Sequence, residues 1–235
     1  MQAVFFDLDG TLLPMDQAVF VNTYFSYLVK KMAPYGYEPK KLISSVWGGT
    51  KAMVKNDGSC KNEEAFWNFF AGIYGEESRG HIPVFEEFYE REFQKAQEVC
   101  GKNPKALEAV QLAKELGARV ILATNPLFPT VATHSRIRWA GLRPEDFELI
   151  TTYENSTTCK PNPAYYQEIL AKTGLKAEEC LMVGNDVEED MVAETLGMKV
   201  FLLTDCLINA KEKDLSVYPQ GGFLELMAYL KSLWQ

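Results

Sequence analysis

The stretch AVFFDLDGT, residues 3–11, decides the fold. A short apolar run leads directly into two aspartates, Asp7 and Asp9, that are separated by one residue, and a Gly-Thr pair follows. A run of this kind is typical of a strand buried on both faces. Two like charges so close together cost free energy wherever they are partly desolvated, so something must compensate for them.

From Gly101 onward, apolar runs alternate with amphipathic stretches. Four glycines follow successive helix candidates: Gly117, Gly141, Gly174 and Gly197. A residue with left-handed backbone conformation commonly ends a helix at this position. Strands that alternate with helices predict an α/β fold, a doubly wound parallel sheet with residues 3–6 as a central strand. The predicted strands are 118–124, 149–152, 180–183 and 200–203, and the predicted helices are 105–116, 129–140, 163–172, 187–196 and 223–233.

Residues 15–102 differ, because they contain no convincing strand and are dense in aromatic residues at helical spacing. Glycines and prolines divide this span into about four helices. We predict an all-helical cap domain, residues 15–102, inserted into an α/β core made of residues 1–14 and 103–235. Its aromatic stripes are interpreted as internal packing rather than a cofactor site. They are Phe20, Tyr24, Tyr27 and Leu28, and Phe66, Phe69, Phe70 and Ile73.

The composition excludes several functions. A formal net charge of −8 disfavours a nucleic-acid footprint or an anionic membrane surface. The five cysteines form no C-x-x-C pair, so neither a zinc site nor a disulfide framework is indicated. No signal sequence and no membrane-length apolar run is found. We therefore expect a cytoplasmic protein without nucleic-acid or membrane partners.

Polar side chains follow the predicted strands on one rim of the sheet, where ligands of open parallel sheets collect. The segments FFDLDGTL, ILATN, CKPNP and VGNDVEED occur in this order along the chain. Together they resemble the four motifs of the haloacid dehalogenase-like (HAD) hydrolases. The helical insert after the first motif resembles the small cap of the phosphoglycolate-phosphatase-like branch. The resemblance implies a Rossmann-like HAD core.

The resemblance also implies roles for individual residues. Asp7 would be the nucleophile that forms an aspartyl-phosphate, and Asp9 would be the general acid and base. Lys160 would hold Asp7 and the phosphoryl oxygens. Thr124 and the backbone N–H of Asn125 would bind the transferring phosphoryl group.

A Mg²⁺ ion is implied as the cofactor, with the Asp7 carboxylate, the Asp9 backbone carbonyl and Asp186 as ligands. Asp190 would be either a further ligand or a support for the others. Without a cation, each like-charge pair at ~4 Å costs about 4 kcal/mol at moderate effective dielectric. Many relatives have Gly-Asp where this chain has Gly184-Asn185-Asp186, so Asn185 could instead take the first acidic position. Glu189 is a weaker candidate ligand.

The implied function is a Mg²⁺-dependent phosphatase acting on a small phosphorylated metabolite. Lys51, Arg79 and Arg91 of the insert could meet a substrate anion, although solvated surface is the favoured interpretation. Two alternatives stay open: a sugar-phosphate mutase that uses the same residues, and a phosphoryl-accepting regulatory or binding module without turnover. Dehalogenation is disfavoured, because that chemistry has no alkoxide for Asp9 to protonate.

Overall fold

A computed structural model describes residues 1–234 of the 235-residue chain. Within these residues the strands are β1 (Ala3–Phe6), β2 (Arg119–Leu122), β3 (Leu149–Ile150), β4 (Cys180–Gly184), β5 (Lys199–Leu203) and β6 (Gln220–Gly221). They form one sheet in the order β3-β2-β1-β4-β5-β6. Every neighbouring pair is parallel. The first strand therefore lies at the centre, as predicted.

The two faces of the sheet bury different side chains. Along β1, Val4 and Phe6 belong to one hydrophobic cluster, whereas Ala3 and Phe5 belong to a second one. This separation follows from the two-residue repeat of a strand. All four residues are fully buried, so helices cover β1 on both faces.

Four helices of the core cover the two faces of the sheet. They are α5 (Pro104–Glu115), α6 (Thr130–Trp139), α7 (Pro163–Thr173) and α8 (Phe223–Leu233). The cluster with Val4 includes residues of α5, α6 and α8, and the cluster with Ala3 includes residues of α7. The four predicted helix-ending glycines all have positive φ, between 67° and 90°. The predicted doubly wound α/β fold is confirmed.

Two details of the core differ from the sequence prediction. Residues 187–196 do not form one α-helix: turns lead into a 3₁₀ helix, Met191–Leu196. The carboxylate of Asp186 accepts hydrogen bonds from the N–H groups of Glu188 and Glu189, at 2.7 and 3.0 Å, and caps the first turn of this segment. The edge strand β6 was missed, because two residues, Gln220 and Gly221, carry no periodic signal.

The insert contains the expected four helices, α1 (Gln17–Met32), α2 (Pro39–Val54), α3 (Asn62–Tyr74) and α4 (Ile82–Glu90), followed by a 3₁₀ segment, Glu92–Val99. Phe20, Tyr24 and Leu28 are buried as predicted. The predicted apolar face of α3 is partly wrong, because Phe69 and Ile73 are 39% and 37% exposed.

The chain enters and leaves the insert through adjacent segments. The N–H of Gly101 donates to the carbonyl of Pro14 at 2.7 Å, and Met15 and Cys100 form an isolated antiparallel bridge. These contacts lie at the predicted junctions, while the division into two domains stays a prediction. No helix among the described residues is long and apolar enough to cross a membrane.

Candidate active site

Asp7 is the first residue after β1, and a tight turn fixes its side chain. The hydroxyl of Thr11 lies 3.1 Å from Asp7 Oδ2 and 2.9 Å from Asn185 Oδ1, and its single hydrogen can serve either oxygen. Gly10 has φ of +85°, and a Cβ there would come within 2.4 Å of Asn185 Nδ2. Only glycine therefore fits this position.

Lys160 is fully buried between two carboxylates. Its Nζ donates to Asp7 Oδ1 at 2.9 Å and to Asp190 Oδ1 at 2.6 Å. Burial alone would lower the pKa of Lys160, but the Asp190 and Asp7 carboxylates outweigh it and hold that pKa well above its usual value. The structure thus brings Asp7, Lys160 and Asp190 together in one hydrogen-bonded group.

The polar side chains in and after the loop that follows β4 make different contacts. Asn185 is buried, and its Nδ2 donates to the carbonyl of Cys206 at 2.7 Å while its Oδ1 faces Thr11. The second oxygen of Asp190 accepts from the N–H of Asp186 at 2.9 Å. Asp186 itself is only partly buried and lines the cavity above the site. All three residues line the cavity, but Asn185 and Asp190 are buried whereas Asp186 is partly exposed.

Thr124 and Asn125, which follow β2, line the same cavity. Asn125 Nδ2 donates to Glu189 Oε2 at 3.0 Å, and Asn125 Oδ1 is buried with no hydrogen-bond partner among residues 1–234. Burial raises the pKa of Glu189 to about 8, against the opposing effect of Lys160. All the sequence-predicted site residues therefore lie at one end of the sheet.

One polar contact was missed from the sequence. Arg136 of α6 is buried, and its Nη1 donates to Asp9 Oδ2 in an ion pair. Its guanidinium also lies 4.3 Å from the centre of the Phe128 ring. The signal was available in part, since Ala132, Arg136 and Ala140 share one face of the predicted helix and the two alanines mark it as buried.

A cavity of about 260 Å³ lies over these groups and extends between the helices of the insert. The aromatic stripes predicted as packing have two roles, because Phe20, Tyr24 and Phe66 both belong to the core and line this cavity. Lys51, Arg79 and Arg91 do not line it. Arg79 and Arg91 pair instead with Glu76 and Glu87, at 2.7 and 3.0 Å.

The donor set is compatible with Mg²⁺. The cavity is lined by the carboxylates of Asp7, Asp9, Asp186, Glu189 and Asp190, and the nearby cations are Lys160 and Arg136. No three Asp, Glu, His or Cys side chains in residues 1–234 form a metal cage by themselves. Mg²⁺ does not need one, because it usually keeps several waters and uses one or two carboxylates with substrate phosphate oxygens. The hard oxygen donors and the excess of negative charge fit such an ion.

A doubly wound sheet, a helical insert and carboxylates at the carboxyl end of the strands agree with the resemblance to the haloacid dehalogenase-like hydrolases. Residues 1–193 match the family described as haloacid dehalogenase-like hydrolase, and the chain belongs to this family. Pyrophosphatase PpaX of Bacillus cereus (strain AH820) is 24% identical over 202 residues, which are 85% of this chain and 81% of that protein.

Solved structures agree on the fold. The 2-haloacid dehalogenase of Pseudomonas syringae pv. Tomato DC3000 superposes with a TM-score of 0.63 at 17% identity, over 100% of both chains. A predicted phosphoglycolate phosphatase of Haemophilus somnus 129pt gives 0.56 at 18%, over 97% of both chains. The HAD-hydrolase YfnB of Bacillus subtilis, described as bound to magnesium, gives 0.59 at 18%, over 98% of both chains.

These comparisons confirm the predicted family and fold. With relatives named as phosphatases, they also confirm the predicted class of enzyme, an HAD-like hydrolase of the phosphatase kind. The roles assigned to individual site residues stay predictions.

Proposed function

We propose that this chain is a Mg²⁺-dependent phosphatase that hydrolyses a small phosphorylated metabolite through an aspartyl-phosphate on Asp7. The observation that carries the proposal is the arrangement of Asp7, which faces the cavity while Lys160 and Thr11 hold its two carboxylate oxygens. A carboxylate is a weak nucleophile, so its catalytic value depends on such fixed placement.

The proposed reaction has two steps, and Asp9 moves a proton in each. First, a carboxylate oxygen of Asp7 bonds to phosphorus while the bond from phosphorus to the ester oxygen breaks, and Asp9 gives its proton to that oxygen. Water then attacks phosphorus and gives a proton to Asp9, and the bond to Asp7 breaks. Inorganic phosphate leaves, and both aspartates return to their starting states.

For the metal, we assign the Asp7 carboxylate, the Asp186 carboxylate and the backbone carbonyl of Asp9 as ligands. Asp190 is almost fully buried, and its two oxygens accept hydrogen bonds from Lys160 and from the N–H of Asp186, whereas Asp186 is only partly buried. Asp190 is therefore assigned to holding Lys160. The ion, when bound, offsets the negative charge that the phosphoryl group brings beside these carboxylates.

Asp7→Asn tests the nucleophile. We expect release of phosphate from p-nitrophenyl phosphate with Mg²⁺ to fall by about 10³-fold or more, because the amide cannot form the covalent intermediate. Asp16→Asn is the matched control, since Asp16 is an exposed cap of α1 and asparagine caps a helix equally well. Unchanged turnover of Asp7→Asn would refute the assignment.

Product analysis separates the phosphatase from the two alternatives. A phosphatase releases one phosphate for each ester consumed, over many turnovers and without an added acceptor. A mutase would return the phosphoryl group to a sugar phosphate. A regulatory module would stop after one phosphoryl group for each protein molecule.

A further inference from the structure

Apart from the polar groups that follow the strands, the wall of the cavity is apolar and mostly aromatic. Each helix of the insert contributes to it, with Tyr24 from α1, Trp47 from α2, Phe66 from α3 and Phe85 from α4. Phe128 of the core completes this wall and packs edge-on against Tyr24, with ring centres 5.7 Å apart. A ligand that reaches past the phosphoryl site therefore meets ring faces and edges, which favour other rings and alkyl groups.

Every charged side chain that lines the cavity is acidic. Most of these acidic side chains lie at the end of the sheet, and the insert adds one more, the exposed Glu86 of α4. Lys, Arg and His are absent from the described residues that line it. The nearby cations Lys160 and Arg136 are buried and already paired with aspartates. A second anionic group on a substrate would find no partner on this wall and would be repelled by Glu86.

The polar groups within the aromatic wall are neutral. The hydroxyls of Tyr24 and Tyr89 lie 3.1 Å apart, and both residues line the cavity. Burial raises the pKa of Tyr24 to about 12, so its hydroxyl keeps its proton at neutral pH. These groups can satisfy an uncharged polar atom but cannot balance a carboxylate or a second phosphate.

The size of the cavity limits the leaving group. A cavity of about 150 Å³ is enough for benzene. At about 260 Å³, the present one has room for a phosphoryl group with one ring or a compact branched chain.

We infer that the substrate is a phosphate monoester whose leaving group is apolar, ring-sized and uncharged, so that the phosphoryl group carries the only negative charge. This inference rests on the proposed phosphatase function. It disfavours pyrophosphate and carboxylate-bearing esters, because each brings a second anion to the cavity wall.

The test compares two esters with similar alkoxide leaving groups, and adds one anhydride, pyrophosphate, whose leaving group is phosphate. We use 2-phenylethyl phosphate, 2-phosphoglycolate and pyrophosphate, each with the same Mg²⁺ concentration, and measure kcat/KM for phosphate release. We expect 2-phenylethyl phosphate to be preferred over both by at least about tenfold. Equal or higher kcat/KM for phosphoglycolate or pyrophosphate would overturn the inference while leaving the phosphatase intact. Release from p-nitrophenyl phosphate but from none of the three compounds would overturn the inference alone, and no release from p-nitrophenyl phosphate either would overturn the proposed function with it.

A charge reversal tests the wall itself. Glu86→Lys should raise kcat/KM for phosphoglycolate relative to 2-phenylethyl phosphate, since it places a cation at the cavity. Glu90→Lys is the control, because Glu90 lies one turn further along α4, is exposed and does not line the cavity. An unchanged ratio in Glu86→Lys, or the same change in both variants, would contradict the assignment.

Discussion

At the scale of single residues, the contact between Asp9 and Arg136 controls where the proposed acid and base points. Arg136 holds Asp9 Oδ2, whereas Asp9 Oδ1 is buried without a hydrogen-bond partner in the described part of the chain. Burial raises the pKa of Asp9 and Arg136 opposes that rise. The free oxygen lies on a residue that lines the cavity, so we propose Arg136 as a positioning residue for Asp9.

Arg136→Met should slow reactions that need a proton on the leaving group. We expect kcat/KM for 2-phenylethyl phosphate, which reports the step that breaks the ester bond, to fall by about 10²-fold, the loss expected from misplacing a catalytic group. The kcat/KM for p-nitrophenyl phosphate should fall much less, because its leaving group departs without a proton. Arg136→Lys should recover part of the lost activity, since it restores the positive charge beside Asp9.

The control for this prediction is Arg138→Met, because Arg138 is exposed on the same helix. Equal losses on both esters in Arg136→Met would mean that the side chain only supports the fold. Thermal unfolding of each variant, measured beside the kinetics, separates folding defects from catalytic ones.

The sequence was informative for Asp7 and Lys160, because each stands in a motif whose local spacing is distinctive. Arg136 has no such motif. Its contact with Asp9 joins residues 127 positions apart, and only the packing of α6 beside the turn after β1 creates it.

At the scale of elements, two glycines let α2 and α3 pack closely. A Cβ on Gly48 would come within 2.3 Å of the Phe69 ring, and one on Gly49 within 2.5 Å of the Phe66 ring. Phe66 lines the cavity. The glycines of α2 therefore set the position of one part of the aromatic wall of the cavity.

Gly49→Ala should both destabilise the protein and weaken substrate binding. We expect unfolding in urea to show a loss of about 1–3 kcal/mol, the usual cost of overpacking, and KM for 2-phenylethyl phosphate to rise as Phe66 is displaced. Gly72→Ala in α3 is the control, because a Cβ there meets nothing within 4 Å. It should gain up to about 1 kcal/mol from helix propensity and leave KM unchanged. A Gly49→Ala variant as stable as the wild type would contradict this account.

Periodicity predicted most elements well, since the strands of the core are short apolar runs and its helices end at glycines. The errors have local causes. In residues 187–196, Asp190 is fixed by Lys160 and by the N–H of Asp186, and only the part from Met191 to Leu196 is helical, as a 3₁₀ helix. Phe69 lies 39% exposed even though it packs over Gly48, a contact that hydrophobic spacing cannot reveal.

At the scale of the whole molecule, the carboxylates at the end of the sheet should link metal binding to the stability of the folded state. A ligand that binds only the folded state stabilises it, by about 2.7 kcal/mol at a concentration of 100 times Kd. We expect Mg²⁺ to raise Tm and EDTA to reverse the rise. We expect Asp186→Asn to unfold at the same or higher temperature without Mg²⁺, because a repelling charge is removed, and to lose most of the Mg²⁺-dependent rise.

Asp214→Asn serves as the matched control, since Asp214 is exposed and, like Asp186, accepts a backbone hydrogen bond through Oδ1. It should keep the full Mg²⁺-dependent rise in Tm. The same Mg²⁺ response in Asp186→Asn and the wild type would remove Asp186 from the set of proposed ligands.

The order of strands and polar motifs also predicted that the motif residues gather at one end of the sheet, while the bounds of the insert and the roles of these residues stay predictions. The sequence did not predict the aromatic wall of the cavity. Tyr24, Phe66 and Phe128 come from three separate helices or loops, and their shared cavity depends on how the insert packs on the core.

The hydrogen bond between Gly101 and Pro14 has an evolutionary consequence. Because the outgoing and returning chain segments are neighbours, the insert is equivalent to one very long loop on a finished scaffold. The entropic cost of closing a loop grows only slowly with its length. A different helical module could thus replace this one between the two residues without changing the strand register or the carboxylates at the end of the sheet. Such a replacement would change the substrate preference and keep the reaction.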